Sequence, residues 1–205
     1  MNVSPATPVN HHADYSGFAG VSGALIGLIM LAMGRARARL AAGVASVSDA
    51  DSVVDIGCGP GSAVREAARH GARVTGIDPA PVMLRLARAF NRKRAGITWA
   101  EGTAEDLPLP DGSATVVWSL ATVHHWKDVG KGLAEVHRVL TPGGRLLAIE
   151  RQVRPGATGL ASHGWTEQQA ESFAAQCRTA GLHKVRVGKH GAGRRTVWTV
   201  SGVRP

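Results

Sequence analysis

An apolar run that ends in alternate glycines constrains this 205-residue chain more than any other feature. The segment VVDIGCGPG covers residues 53–61 and places Asp55 just before the first glycine. Glycine accepts positive φ angles and lets the backbone approach a ligand closely, so the segment predicts a strand followed by a tight binding turn. Apolar residues recur with helical spacing over residues 62–71, which predicts a helix whose first amides face the ligand. The glycines of the turn are Gly57, Gly59 and Gly61.

A second strand-like run follows this predicted helix and ends at a carboxylate. Residues 74–77 read VTGI and lead into Asp78, which lies 21 positions after Gly57. In a strand, turn, helix and strand unit that binds a nucleoside, an acidic residue about 20 positions after the first glycine accepts hydrogen bonds from the ribose hydroxyls. We therefore expect a Rossmann-type unit in which Asp78 binds a ribose.

Two positions distinguish a dinucleotide from another adenosine-bearing cofactor. The dinucleotide pattern places its third glycine three residues after the second, where this chain has Ser62. A buried carboxylate at Asp55 would repel a pyrophosphate but suits a cationic or amine-bearing ligand. Both observations favour S-adenosylmethionine, and a dinucleotide-dependent oxidoreductase remains an alternative.

Three segments give the chain a clear resemblance to a known family. They are VVDIGCGPG at 53–61, GIDPAPVML at 76–84 and EGTAEDLPLPDGSATVV at 101–117. Together they resemble the class I S-adenosylmethionine-dependent methyltransferases, most closely the branch that includes small-molecule, quinone and lipid methyltransferases. The resemblance covers roughly residues 51–150 and continues more loosely to the C-terminus. It implies the fold and the cofactor but not the acceptor of the methyl group.

The resemblance also implies which residues hold the cofactor. Asp55 and the turn from Gly57 to Gly61, with Cys58 contributing its backbone, would hold the methionine end. Asp78, followed by Pro79, would bind the ribose, and Met83 would lie on one side of the adenine. The edge of the adenine would meet Thr103, Ala104 and Glu105. The family usually has an aspartate where Thr103 stands, so Glu105 or a backbone carbonyl would take over the bond to the adenine amine.

The end of the predicted fourth strand should also reach the cofactor. This strand is expected over residues 115–119, and its end should meet the glycine turn at the point where the strand order of such a sheet reverses. Ser119 and Leu120 should therefore touch the cofactor. Residues before the first strand often close over the cofactor in related enzymes, which makes Tyr15, with His11 and His12, a candidate for that position.

A histidine pair directly after the fourth strand also resembles the family. His124 could lie near the methyl-transfer site and orient or deprotonate the acceptor, because imidazole changes charge near neutral pH. Alternatively, the two rings of His124 and His125 cap strand and helix ends by hydrogen bonds. Glu150, at the end of the fifth strand, could shape the acceptor pocket or could be a solvated or capping group. The sequence shows no metal-ligand spacing, so we predict no metal site.

The alternation of strands and helices predicts one α/β domain with a mostly parallel sheet that is covered on both faces. The resemblance implies a Rossmann-like class I methyltransferase fold, doubly wound around a seven-stranded sheet with an antiparallel strand. Residues 51–205 would form the cofactor-binding domain, and residues 1–50 a helical extension or lid of the same domain. The last two strands are expected at 184–187 and 196–200, after a helix over 166–180. Because the loop between residues 150 and 166 is short, the substrate cover should come from the N-terminal segment.

The N-terminal segment contains an apolar run from Phe18 to Met33, followed by Arg35, Arg37 and Arg39. Its 16 residues span about 24 Å as a helix, less than the roughly 30 Å of a bilayer core, so we expect no transmembrane span. The basic residues follow the run instead of preceding it, which argues against a secretory signal. The run is either a helix packed over the sheet edge or an interfacial helix in peripheral contact with a membrane that holds a lipid-like acceptor.

The net charge of +9 is concentrated after Glu171, where no acidic residue occurs. Such a region could contact nucleic acid or an anionic surface. Three Phe, one Tyr and five Trp offer few stacking groups, and the Asn-Pro-Pro-Tyr string of amide methylation is replaced by SLAT at 119–122, so a nucleic-acid acceptor is disfavoured. We expect a small-molecule or lipid-like acceptor, and we make no prediction of the oligomeric state.

The two cysteines, Cys58 and Cys177, are far apart in sequence and offer neither a disulfide framework nor a metal cluster. They suit a reducing cytoplasm. A protein that binds the cofactor in a regulatory role without transferring methyl groups is the second functional hypothesis, suggested by Thr103 and the missing lid insertion.

Overall fold

A computed structural model of the chain describes residues 8–13, 20–92 and 94–205. Within these ranges the chain forms six α-helices and seven strands, with short 3-10 helices at Val123–His125 and Gly159–Ser162. The helices are α1 (Gly20–Met33), α2 (Arg35–Val44), α3 (Ser62–Arg69), α4 (Pro81–Asn91), α5 (Val129–Val139) and α6 (Glu167–Thr179). The strands are β1 (Ser52–Ile56), β2 (Arg73–Asp78), β3 (Ile97–Glu101), β4 (Ala114–Leu120), β5 (Leu140–Arg151), β6 (His183–Ala192) and β7 (Arg195–Val203).

The seven strands form one sheet in the order β3-β2-β1-β4-β5-β7-β6. Neighbours from β3 to β5 run parallel, while β7 is antiparallel to both β5 and β6. The strand order reverses between β1 and β4, and a ligand crevice is expected at the carboxyl ends of these two strands. The predicted doubly wound fold with an antiparallel strand is confirmed.

Apolar side chains cover both faces of the sheet. On one face, α5 and α6 pack through residues such as Leu133 and Phe173, both fully buried. On the other, α2 and α3 contribute mainly small residues, among them Ala41 and Val64. Burying one large apolar side chain stabilises a fold by roughly 1.5–3 kcal/mol, so these two layers hold the strand ends in place.

Several element ends differ from the sequence expectation by a few residues. Helix α5 begins where the side chain of Asp128 accepts a hydrogen bond from the amide of Lys131 and caps the first turn. Helix α6 matches its predicted range, and Thr166 and Gln169 form a reciprocal capping box at its start. Strands β6 and β7 are longer than predicted because pairing with each other extends them to a two-residue turn.

The described part of the N-terminal apolar run forms α1, and α2 follows directly after Gly34. One face of α1 packs on α4, where a Cβ on Gly27 would lie 2.6 Å from Cδ1 of Leu86. The opposite face exposes apolar side chains: Leu25, Ile26, Leu28, Ile29 and Met33. The packing interpretation describes the first of these faces, and the interfacial interpretation of the second stays a prediction. Among the residues that the structure describes, no helix combines the length and the hydropathy needed to cross a bilayer.

Candidate active site

The glycine turn after β1 adopts the left-handed backbone that its sequence predicts. Gly57, Gly59 and Gly61 have φ angles of 70°, 51° and 85°. A Cβ on Gly57 would lie 2.6 Å from the side chain of Thr122, and one on Gly61 would lie 2.5 Å from the Trp99 ring. Both positions therefore require glycine for backbone conformation and for space. Gly61 is the N-cap of α3, so the first amides of that helix open onto the turn.

Asp78 ends β2 and fixes the turn. Its Oδ2 accepts a hydrogen bond from the amide of Gly59 and its Oδ1 one from the amide of Ala80, each at 2.8 Å. Burial raises the pKa of this carboxyl, and the two backbone hydrogen bonds act in the opposite direction. Because each carboxylate oxygen has a second lone pair, the group can also accept hydrogen bonds from ribose hydroxyls.

Asp55 lies in β1, buried beside the turn, with 2% of its surface exposed. Its Oδ2 has no hydrogen-bond partner among the described residues. Burial, together with the nearby charge of Asp78, raises the pKa of this carboxyl well above its ordinary value. A buried carboxylate oxygen without a partner is costly, and an ammonium group on a ligand would satisfy it. The residues of the crevice thus fit S-adenosylmethionine, whose methionine end carries such a group.

Helix α1 lies across the glycine turn and forms its outer cover. Cε of Met30 is 3.4 Å from the position that a Cβ on Gly59 would occupy. Met83 is fully buried, and its Sδ is 3.2 Å from the corresponding position on Gly27 of α1. The N-terminal segment therefore reaches the predicted adenosine site through a helix. Tyr15 lies outside the described residues.

The three residues expected along the adenine edge have separate environments. Thr103 forms an isolated bridge with Asp106, and Ala104 is buried in the core. Oε1 of Glu105 accepts hydrogen bonds from the amides of Lys127 at 2.7 Å and of Asp128 at 3.1 Å. This oxygen of Glu105 thus holds the start of α5, and the assignment of the adenine bond stays a prediction.

The ends of β1 and β4 are joined by a hydroxyl pair. Ser119 is fully buried, and its Oγ is hydrogen-bonded to Oγ1 of Thr122, which in turn donates to the carbonyl of Ile56 at 3.0 Å. Leu120 follows, partly exposed, and Pro79 beyond β2 is exposed. Sequence reasoning missed Thr122, although the need for glycine at position 57 was an indirect signal of a side chain above it.

His124 and Glu150 form a buried pair at the carboxyl ends of β4 and β5. Nδ1 of His124 lies 2.9 Å from Oε2 of Glu150, and Glu150 is completely buried. Glu150 is therefore not the solvated group that sequence analysis allowed. The capping interpretation of His124 accounts for only one side of the ring, since Nε2 is buried and has no hydrogen-bond partner among the described residues.

Four more histidine rings surround this pair. The ring centroid of His124 lies 4.1 Å from that of His125, 5.4 Å from His163, 5.7 Å from His12 and 6.0 Å from His11. The amide of His12 donates to the carbonyl of His124 at 2.9 Å, which ties the N-terminal segment to the end of β4. Sequence analysis expected His11 and His12 near the cofactor but gave no reason to place His163 with them.

The N-terminal rings are held by hydrogen bonds to the loop before α6. Nε2 of His11 donates to the carbonyl of Ser162 at 2.9 Å, and its Nδ1 accepts from Nε2 of Gln169 at 3.0 Å. Nε2 of His12 lies 3.0 Å from Oγ of Ser162. Burial, with the neighbouring rings of His163 and His11, lowers the pKa of His12 to about 4. The segment that carries these rings covers the pair formed by His124 and Glu150.

The two cysteines take no part in this chemistry. Cys58 and Cys177 are both buried and form no disulfide. Burial raises the pKa of the Cys58 thiol well above its ordinary value. That Cys58 contributes only its backbone to the cofactor site stays a prediction.

Residues 54–148 match the sequence model of a methyltransferase domain. The demethylmenaquinone methyltransferase of Tropheryma whipplei (strain Twist) is 38% identical over 112 residues, which is 55% of this chain and 46% of that protein. The malonyl-[acyl-carrier protein] O-methyltransferase of Serratia marcescens is 36% identical over 105 residues, or 51% of this chain and 40% of its own length. The chain thus spans less than half the length of these curated relatives.

Solved structures show the same fold. A SAM-dependent methyltransferase from Aquifex aeolicus superposes with a TM-score of 0.69 at 18% identity, over 82% of this chain and 89% of that one. An S-adenosylmethionine-dependent methyltransferase from Mesorhizobium loti gives 0.67 at 22% identity, over 85% of this chain and 100% of that one. With its sheet order and its glycine turn, the chain has the fold of these S-adenosylmethionine-dependent methyltransferases, and its residues 54–148 match a methyltransferase domain.

Proposed function

We propose that this protein transfers a methyl group from S-adenosylmethionine to a small-molecule or lipid-like acceptor by in-line displacement. The observation that carries the proposal is the pairing of two features at one edge of the sheet. One is the glycine turn with the partnerless carboxylate oxygen of Asp55, and the other is the buried His124 and Glu150 pair. Relatives named for a demethylated quinone and for malonyl-acyl carrier protein support an acceptor of this class.

The chain's own residues bind and orient the cofactor in this proposal. Asp55 takes the ammonium group, the turn from Gly57 to Gly61 with Cys58 approaches the methionine end, and Asp78 with Pro79 binds the ribose. Met83 borders the adenine, and the remaining contacts come from Tyr15, Thr103, Ala104, Glu105, Ser119 and Leu120. The sulfonium supplies an electrophilic methyl group with a good leaving group, so the protein needs mainly to align the reactants and exclude water.

His124 acts on the acceptor in this proposal. Oε2 of Glu150 accepts a hydrogen bond from Nδ1–H of His124 at 2.9 Å, so Nε2 is the basic nitrogen of the ring. A base held in this tautomer can take the proton of an oxygen or nitrogen acceptor as the methyl carbon is attacked. Glu150 is a positioning residue, since it acts through His124.

Calorimetry with S-adenosylmethionine and a screen of metabolite extracts with methyl-labelled cofactor test this proposal. We expect binding at one site per chain and label transfer to at least one acceptor. Absence of binding would overturn the proposal. Binding without transfer in any extract would favour the alternative of a regulatory cofactor-binding protein.

We also propose that the exposed face of α1 contacts the surface of a membrane that holds a lipid-like acceptor. Leu25 and Ile29 are 61% and 51% exposed, and the exposed Arg35 and Arg39 follow in the next helix. An apolar helix face next to basic residues suits an anionic bilayer surface. Sedimentation with phosphatidylglycerol vesicles should fall strongly for Ile29→Asp and be unchanged for Leu160→Asp, an exposed loop leucine. Equal sedimentation of both variants would contradict the proposal.

A further inference from the structure

The geometry points to a divalent transition-metal site formed by His124, His125 and His163. One nitrogen from each of these rings lies within 4.8 Å of the others. Three imidazole nitrogens form a ligand set that suits zinc, cobalt, nickel or copper and disfavours magnesium or calcium. The sequence analysis predicted no metal, because the three residues come from two segments almost forty positions apart.

The buried pair supplies the strongest argument for this site. A metal-bound histidine almost always donates its second ring nitrogen to a carboxylate or carbonyl, which fixes the ring and makes the ligating nitrogen more basic. His124 has this arrangement, since Nδ1 meets Glu150 at 2.9 Å and Nε2 is buried without a partner among the described residues. A cation at Nε2 would satisfy that nitrogen and offset the buried charge of Glu150.

The other two ligands are positioned by their surroundings. Nδ1 of His125 lies 3.3 Å from the carbonyl of His12, a contact that orients this ring. Nε of Arg151 donates to the carbonyl of His163 at 2.9 Å and holds the loop that carries the third ring. The ring of His163 is stacked on that of His12, with centroids 4.2 Å apart and planes inclined by 11°.

The two N-terminal rings are less suited to be ligands. Both nitrogens of His11 are hydrogen-bonded, to Ser162 and to Gln169, and Nε2 of His12 is paired with Ser162. They instead lie beside the cluster, partly exposed, in the segment that follows Pro8 and Val9. A site with three protein ligands keeps at least one coordination position open, as catalytic zinc sites do.

The open position would bind an oxygen of the methyl acceptor, such as a hydroxyl, an enol or a carboxylate. This second part of the inference rests on the proposed function, whereas metal binding itself does not. With a metal bound, Nε2 of His124 is a ligand and is no longer available as a base. His124 therefore acts as a base in the metal-free protein or as a ligand in the metal-bound protein, but not as both at once.

Metal titration of the full chain without a polyhistidine tag tests the site. The protein is treated with a chelator, dialysed, and titrated with Co²⁺ in an absorption experiment and with Zn²⁺ in a calorimeter. We expect one ion per chain and visible absorption bands of cobalt bound by nitrogen ligands. His163→Asn and Glu150→Gln should each weaken binding at least about 10–100-fold. The control His70→Asn replaces an exposed histidine in another part of the fold and should bind as the unmodified chain does.

Circular dichroism and calorimetry with S-adenosylmethionine accompany each titration. If His163→Asn does not fold, His125→Asn replaces it in the same comparison. Absence of stoichiometric binding, or equal affinities in His163→Asn and His70→Asn, would overturn the metal site. If the unmodified chain binds the metal but does not bind S-adenosylmethionine, the proposed function is overturned and the metal site is not. Oxygen-bearing acceptors that are methylated equally with and without metal would overturn the role of the open position.

Discussion

The proposed cofactor half and the proposed acceptor half of this site are built in different ways. The cofactor half comes from one continuous stretch, residues 53–78, in which a strand, a turn, a helix and a second strand place Asp55, Gly59 and Asp78 together. The acceptor half collects histidines from residues 11–12, 124–125 and 163, and joins them to Glu150. Local chain geometry determines the first half, and packing across the whole domain determines the second.

This difference shows that backbone groups dominate one half of the site and side chains dominate the other. Backbone amides and φ angles dominate the glycine turn, so its geometry follows from residue type alone. Imidazole rings dominate the other half, and each ring is held by a partner distant in sequence, such as Ser162 for His12. Substitutions should therefore affect cofactor binding and turnover separately.

The largest expected effect is on turnover in His124→Asn. If His124 is the base, turnover should fall about 10²–10⁴-fold, because a positioned base contributes this much to a proton transfer. The affinity for S-adenosylmethionine should be unchanged, since His124 lies in the acceptor half. Steady-state kinetics with the acceptor found in the extract screen, together with calorimetry, measure both quantities on chelator-treated protein. Turnover within about threefold of the unmodified chain would remove this role from His124.

Asp78→Ala should weaken S-adenosylmethionine binding about 100-fold. It removes the acceptor of the Gly59 and Ala80 amides as well as the expected ribose bonds, and hydrogen bonds to a charged group contribute about 1.5–3 kcal/mol. Calorimetry gives the dissociation constant. Asp111→Ala, which changes an exposed aspartate that pairs with Arg138 away from the crevice, is the matched control. Equal affinities of the two variants would contradict the cofactor half as described.

Gly61→Ala should lower the free energy of unfolding by about 3 kcal/mol, since strained backbone and a close contact combine there. Its φ is 85°, and the added Cβ would lie 2.5 Å from the Trp99 ring. Gly112→Ala is the control, because Gly112 also has a positive φ, of 58°, but faces open space. Urea unfolding measures the free energy of unfolding of both variants. A difference below about 1 kcal/mol would show that conformation alone accounts for the glycine.

The smallest expected effect concerns a pair away from both halves. Burial alone would raise the pKa of Asp51, but hydrogen bonds from Arg145, Thr115 and the Ser48 amide lower it to about 2 from 3.8. Because the folded pKa is depressed, the ionised pair stabilises the fold by about 2 kcal/mol above pH 4, and this is lost as pH falls toward 2. Unfolding measured at pH 5 and pH 3 should differ less in Asp51→Asn than in the unmodified chain. An unchanged difference would contradict the lowered pKa.

Much of the fold was predictable because it rests on short-range patterns. The glycines of residues 57–61 predicted the turn, and alternating apolar segments predicted the parallel strands. The ends of helices and strands were less predictable. Helix α5 starts where Asp128 caps it, and strands β6 and β7 extend through mutual pairing. Those limits depend on hydrogen bonds to partners that a local pattern does not contain.

The site was predictable to the same uneven extent. Asp55 and Asp78 could be read from spacing, whereas the environments of Glu105 and Glu150 could not. Glu105 holds two amides at the start of α5, and Glu150 is fully buried against His124, although both are ordinary carboxylates in the sequence. Burial and pairing decide the chemistry of such groups, and both are properties of the packed domain.

The sequence by itself determined the strand, turn and helix unit and predicted the cofactor and the resemblance to a family, because these depend on residue types at fixed spacing. Only the tertiary structure decided that α1 lies across the glycine turn and that four histidines lie around the ring of His124, which pairs with Glu150. The physical reason is that side chains from distant segments come together only when the sheet brings the carboxyl ends of its strands to one edge. The acceptor chemistry therefore belongs to the fold more than to any motif.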